Sequence, residues 1–156
     1  MDDKIAALAK QTEQRLLATW AADCAERVLP CFERKFPADD RPRRAIEACR
    51  EWVRTGLFKM ADVRTTSLAA HAAAREVEED DAARSAARAA GQALGTAHVP
   101  THAIHAARYA ATAVRDAAGS MDAAIEEREW QYRRLRALSA TPYSPSPRAR
   151  GEGVAR

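Results

Sequence analysis

The segment His98-Val99-Pro100-Thr101-His102-Ala103-Ile104-His105 holds three of the four histidines of the chain within eight residues. Imidazole is the side chain whose charge ordinarily changes near neutral pH, so it serves proton transfer, metal binding or pH sensing. If a helix begins near Pro100, then His102, His105, Tyr109, Thr112 and Asp116 follow one another at spacings of 3, 4, 3 and 4 and share one face. Such a stripe is either a buried polar seam or the wall of a pocket. In a pocket, His102, His105 and Tyr109, faced by His71 or Asp23 from other helices, would suffice for acid–base chemistry. As zinc ligands, His102 and His105 would need a third partner such as His71. The chain has no HExxH, no Glu-x-x-His and no second His-rich segment, so neither a metal nor another cofactor is expected. We read the histidines first as structural groups, each donating to a carbonyl or to a carboxylate such as Asp23 or Asp116.

Nucleophiles are scarce. Before the C-terminal stretch the serines are Ser67, Ser85 and Ser120, and none stands in a nucleophile elbow. Cys24, Cys31 and Cys49 are odd in number and form no CxxC. They read as three reduced thiols in a cytoplasmic protein, packed as small hydrophobes. Asp23 and Arg27 stand four apart, the spacing of a surface ion pair. Beside Leu16 and Trp20, Asp23 could instead reach Arg41 or His71 inside the bundle. Arg41, in Asp40-Arg41-Pro42-Arg43-Arg44, belongs to a solvated helix start or folds back over the first helix.

Helical periodicity dominates the elements that must position these groups. The first helix is expected over about Asp3 to Val28, with Leu17, Ala21, Cys24, Val28 and Phe32 on its apolar face and Pro30 kinking or ending it. Asp39 or Asp40 caps a second, with Pro42 in its first turn and Gly56 as its stop. A third covers about Met60 to Glu78 and a fourth about Asp81 to Ala97, with the acidic run Glu76 to Asp81 at the turn between them. In the fourth, Ala87, Gly91 and Gly95 form a small-residue stripe, which predicts a neighbouring backbone close by. The fifth, about Pro100 to Ala118, carries the histidine stripe opposite Ile104 and is expected at the centre of the bundle. Gly119 stops it, and Ser120 caps a sixth over about Met121 to Leu138, anchored by Ile125, Trp130, Leu135 and Leu138.

Length and composition bound the rest. The 156 residues make one domain by size, large enough for a core without staples. Between residues 61 and 118, 22 of 58 are alanine, so these helices form readily but must pack closely to bury much area. The net charge is +3, of which Arg148, Arg150 and Arg156 against Glu152 supply +2. The body is nearly neutral and shows no basic stripe with interleaved aromatics, which argues against nucleic acid. No apolar run could span a bilayer, and Met1-Asp2-Asp3-Lys4 reads as a soluble start. The Pro/Ser/Arg stretch from Ser139 to Arg156 reads as a disordered tail after a helical domain over residues 1–138. The expected fold is a single all-α domain of five to seven helices in an irregular or orthogonal bundle with no sheet.

Four stretches together carry a family resemblance. They are Trp20…Asp23-Cys24-Ala25-Glu26-Arg27-Val28-Leu29-Pro30, Arg41-Pro42-Arg43…Ala45-Ile46-Glu47-Ala48…Trp52, Ala70-His71-Ala72-Ala73-Ala74-Arg75, and Thr96-Ala97-His98-Val99…His102-Ala103…Ala107-Arg108-Tyr109. Over roughly Thr12 to Leu138 the chain resembles the all-helical putative immunity protein family, similar to the fifth-named class of immunity proteins of bacterial polymorphic toxin systems. The resemblance implies a small cytoplasmic helical protein that neutralises a toxin by binding it, or a domain of that kind reused for another purpose. Its matched positions, Asp23, Arg41, His71, His98, His102 and Tyr109, fit a polar seam in the helical body. Two functions follow: a protein-binding module acting by occlusion, with exposed charge such as Glu76 to Asp81 meeting a basic partner, or a small-molecule-binding protein or acid–base enzyme whose pocket is lined by His71, His102, His105 and Tyr109. We read binding rather than catalysis.

Overall fold

The computed structural model describes residues 1–140. Among them are seven helices and no strand: α1 Asp2–Lys10, α2 Gln14–Glu33, α3 Arg41–Thr55, α4 Met60–Arg75, α5 Asp81–Gly95, α6 His102–Ala118 and α7 Met121–Ser139. The all-α architecture expected from the sequence is present. The tail expected beyond Ser139 falls almost wholly on residues 141–156, outside the described ones. Ser139 itself is the last residue of α7, and its hydroxyl lies 2.9 Å from that of Thr12.

Four expectations are corrected. The first helix is two, because Glu13 caps a new start: its carboxylate accepts from the Arg15 and Leu16 amides at 2.9 and 3.4 Å. Pro30 does not end α2, which continues to Glu33. Both Pro30 and Glu26, whose carbonyl loses its i+4 donor, lie on the exposed face, so water can satisfy that oxygen. α6 begins at His102 instead of Pro100, after tight turns in which the His98 and Val99 amides both donate to the Gly95 carbonyl. Finally, the central helix is α5, not α6. It packs against α2, α3, α4 and α6, and ten of its fifteen residues are buried. Small side chains around nearly its whole circumference let four neighbours approach together.

The large anchors are Trp20, Phe32, Leu94, Ile5 and Leu135, all fully buried among alanines. Ile125, expected as an anchor of the last helix, is exposed. Gln131 is buried instead, and its polar groups are engaged: the side-chain amide donates to the Ala107 carbonyl at 2.8 Å and accepts from Arg128 at 2.7 Å. Its backbone carbonyl accepts the Trp20 indole N–H at 2.8 Å, which ties α2, α6 and α7 together through polar groups with partners.

Candidate functional site

α4, α5 and the turn leading into α6 enclose a groove of about 450 Å³. One face of α4 supplies Met60, Val63, Arg64, Ser67, Leu68 and His71, at helical spacings of three and four. The opposite wall is α5 at Gly91, Gln92 and Gly95, and the end is closed by His98 and His102.

The glycine stripe explains how the imidazoles fit. A Cβ on Gly91 would lie 2.7 Å from Nε2 and 2.8 Å from Cε1 of His71, and one on Gly95 would lie 3.1 Å from Cγ of His102. Each ring therefore occupies the notch left by an absent side chain. The stripe had predicted a close backbone; the close neighbours are two histidines.

The two rings differ in their hydrogen bonding. His102 Nδ1 lies 2.5 Å from Gln92 Oε1. An amide oxygen only accepts, so Nδ1 carries the proton and Nε2 of the neutral ring is left as the acceptor. His71 keeps a buried Nδ1 with no hydrogen-bond partner. Burial pushes the His71 pKa down, and the positive charges of Arg88 and Arg75 and the neighbouring His102 push the same way. Burial also lowers that of His102, with smaller contributions from His105 and His98. Both are neutral at pH 7. Beside them the Ser67 hydroxyl donates to the Gly91 carbonyl at 3.0 Å. At the mouth, Phe58 stacks on His98, ring centroids 6.3 Å apart and planes 14° from parallel.

The other candidate residues lie elsewhere. His105 is exposed and meets His102 edge-on at 6.2 Å. Tyr109 packs half-buried against the core. Asp23 reaches neither Arg41 nor His71; it accepts from Arg50 of α3 at 3.0 Å and Arg134 of α7 at 2.8 Å. Arg27 leaves Asp23 aside, pairing with Glu127 through two bonds of 2.8 Å and lying 3.8 Å over the Trp130 ring. Arg41 does not fold back over the first helix. It binds Asp39 at 2.7 Å and also Glu76, joining the start of α3 to the end of α4. The acidic run is largely engaged within the fold: besides Glu76 with Arg41, Asp80 caps α5 and meets Lys35 at 3.5 Å, and Asp81 pairs with Arg84.

Sequence reasoning missed Gln92 and the α4 face at Met60, Val63, Arg64, Ser67 and Leu68. The only available signal was the Gly91/Gly95 pair, which marks a contact without naming its partner. A larger cleft of about 960 Å³ lies between the end of α2, the start of α5 and the α6–α7 turn. Its walls mix both charge signs through Arg34, Lys35, Asp80 and Asp81, and of the histidine stripe only Asp116 reaches it.

Among the described residues, no group of three His, Cys, Asp or Glu side chains is placed to hold a metal. The cysteines are free. Burial pushes the Cys49 thiol up to about 12 and that of Cys24 well above the usual range, so neither is a thiolate at pH 7. No described helix is long and apolar enough to cross a membrane. Neither curated proteins nor solved structures give a match to the chain. The sequence pattern described as "Imm-5 like putative immunity protein" does match, over residues 7–138, which takes in all of α2 to α6 and nearly all of α7. The chain belongs to the Imm-5 like putative immunity protein family.

Proposed function

We propose that this protein works by binding a protein partner, as an immunity protein that covers the working surface of a toxin in the cytoplasm. The observation that carries the reading is an apolar ridge around the histidine groove. Leu57 is 62% exposed and Leu68 53%, Phe58 and Met60 are exposed as well, Met60 and Leu68 line the groove, and Phe58 stacks on His98 at its mouth. Monomeric proteins seldom leave a cluster of large apolar side chains in water unless a partner covers it. Gly56, in the left-handed conformation at φ 68°, ends α3, the Leu57 amide donates to Thr55 Oγ1 at 3.2 Å, and Phe58 leans on His98. The acidic run, with most of its carboxylates committed internally, is a weaker candidate for the contact.

The test pairs the chain with the toxin-domain protein of a neighbouring gene. The parent should restore growth to cells expressing that toxin. Leu57→Asp combined with Leu68→Asp should abolish rescue while the circular dichroism spectrum stays unchanged, since both side chains are already in water. Full rescue by that variant would remove the ridge from the interface. A neighbourhood of biosynthetic genes with no toxin would overturn the reading itself. The second reading, a ligand-binding protein, is favoured by one observation: the groove holding two neutral imidazoles.

A further inference from the structure

We propose that the groove between α4, α5 and the start of α6 binds a small organic carboxylate with an apolar body. Its volume of about 450 Å³ suits one compact ligand. Met60, Val63 and Leu68 offer the body an apolar bed.

The polar lining selects the sign of the head group. No aspartate or glutamate lines the groove. Two of its acceptors are already used: Gln92 Oε1 by His102 and the Gly91 carbonyl by Ser67. What remains for a ligand is the Gln92 NH₂ group, the Arg64 guanidinium and the imidazoles. The charged and titratable groups facing the rings add to this bias. They are Arg64 and Arg75 on α4, Arg88 on α5, His105 on α6 and His98 in the connecting turn. A cation is repelled here and a carboxylate is attracted.

His102 is arranged to answer such a ligand. The base of its ring sits against Gly95, and Nδ1–H is tied to Gln92. Nε2, at the far end of the ring, can therefore take a proton from bulk water without breaking the Gln92 bond. It then donates to the carboxylate in a charge-assisted hydrogen bond. Binding is thus coupled to proton uptake, and affinity rises as pH falls. His71 adds to the case. A half-buried imidazole with an orphaned nitrogen, in the field of the positive Arg88 and Arg75, is a poor packing solution, and buried polar groups without partners concentrate where function holds them. Nothing in this proposal depends on a toxin partner, so the two can fail separately.

The test is a titration of the full chain with sodium hexanoate, followed by the ring resonances of the four histidines, with hexan-1-ol and hexylammonium chloride as matched controls. Hexanoate should shift His71 and His102 saturably, more tightly at about pH 6 than at about pH 8. Hexanol should bind about tenfold more weakly, since it lacks the charge-assisted bonds, and hexylammonium should not bind. Arg64→Ala, at an exposed position that should not disturb folding, should weaken hexanoate about tenfold. Equal binding of hexanol and hexanoate would reduce the groove to an apolar crevice and overturn the proposal. So would the absence of saturable shifts at both pH values, or an affinity that does not change with pH.

Discussion

Gly91 and Gly95 face imidazoles in different ways, and the difference sets what a methyl group would do at each. At Gly91 the new Cβ meets the far edge of the His71 ring, which can swing outward into the groove. The helix-propensity gain of about 1 kcal/mol then offsets the lost contact. Gly91→Ala should leave stability within about 1 kcal/mol of the parent while the His71 titration returns toward its ordinary value, readable by NMR. An unmoved His71 titration would mean that α5 shifted instead of the ring. At Gly95 the Cβ meets Cγ and Cβ of His102, the root of the side chain, which cannot swing away. Gly95→Ala should therefore destabilise by about 1–3 kcal/mol in a denaturant melt. The same two histidines set a pH dependence. Their folded pKa values lie below the ordinary imidazole value, so between the two the unfolded chain binds more protons than the folded one. Stability is then complete above about pH 6.5 and falls as pH drops below it. The depressed carboxylates Asp2, Asp39 and Glu76 act only further down, below about pH 4. Thermal midpoints should begin to fall well before the carboxylates titrate, and replacing His71 and His102 with Ala should flatten that first slope. An unchanged slope in the double variant would place the linkage elsewhere.

Helix ends explain which elements were readable in advance. Ser120, Gly56 and Gly119 act where expected: Ser120 accepts the Ala123 amide at 3.3 Å, and the two glycines end α3 and α6 in the left-handed conformation. Asp80, read only as part of the acidic run at its turn, caps α5 by accepting the Ala83 amide at 2.9 Å. The misreadings came from residues whose effect depends on their surroundings. Glu13 is a less usual cap than serine or aspartate, so the break between α1 and α2 carried no local mark. Pro30 was read as a kink or a stop, yet α2 continues past it, because its ring and the carbonyl it deprives both face water. Asp80→Ala should cost about 1 kcal/mol, seen as a lower urea midpoint with an unchanged slope. Its Lys35 contact at 3.5 Å, on two partly exposed side chains, should add little. A loss well above that would show that the turn before the central helix is bound more tightly than a single cap allows.

The molecule as a whole is a set of helices gathered around α5, and its thiols report on that core. Cys49 lies between α2 and α5, its Sγ 3.5 Å from the Ala18 carbonyl and 3.3 Å from that of Ala93, and Cys24 is equally buried. Cys31 is half-exposed, and burial raises its pKa as well. In the native protein an aromatic disulfide reagent should label Cys31 slowly and leave the other two untouched. Cys24 and Cys49 should then react together, at a rate that denaturant increases, because both need the bundle to open. Rapid labelling of Cys49 at low denaturant would show that α3 detaches on its own.

Composition and periodicity were enough to determine the helical class, most helix ends and the family resemblance, because propensity, capping and amphipathic spacing act within a few turns of chain. The histidine-bearing segment was legible for the same reason. The centre of the bundle was not: in alanine-rich helices every face is small enough to be buried, so only the simultaneous packing of α2, α3, α4 and α6 selects α5. Nor could spacing along one helix show that His102, without His105 or Tyr109, lines a groove with His71, a residue of another helix. That arrangement arises from two missing side chains, Gly91 and Gly95, on a third helix lying between them. A glycine records that something comes close; what comes close is decided by the tertiary fold.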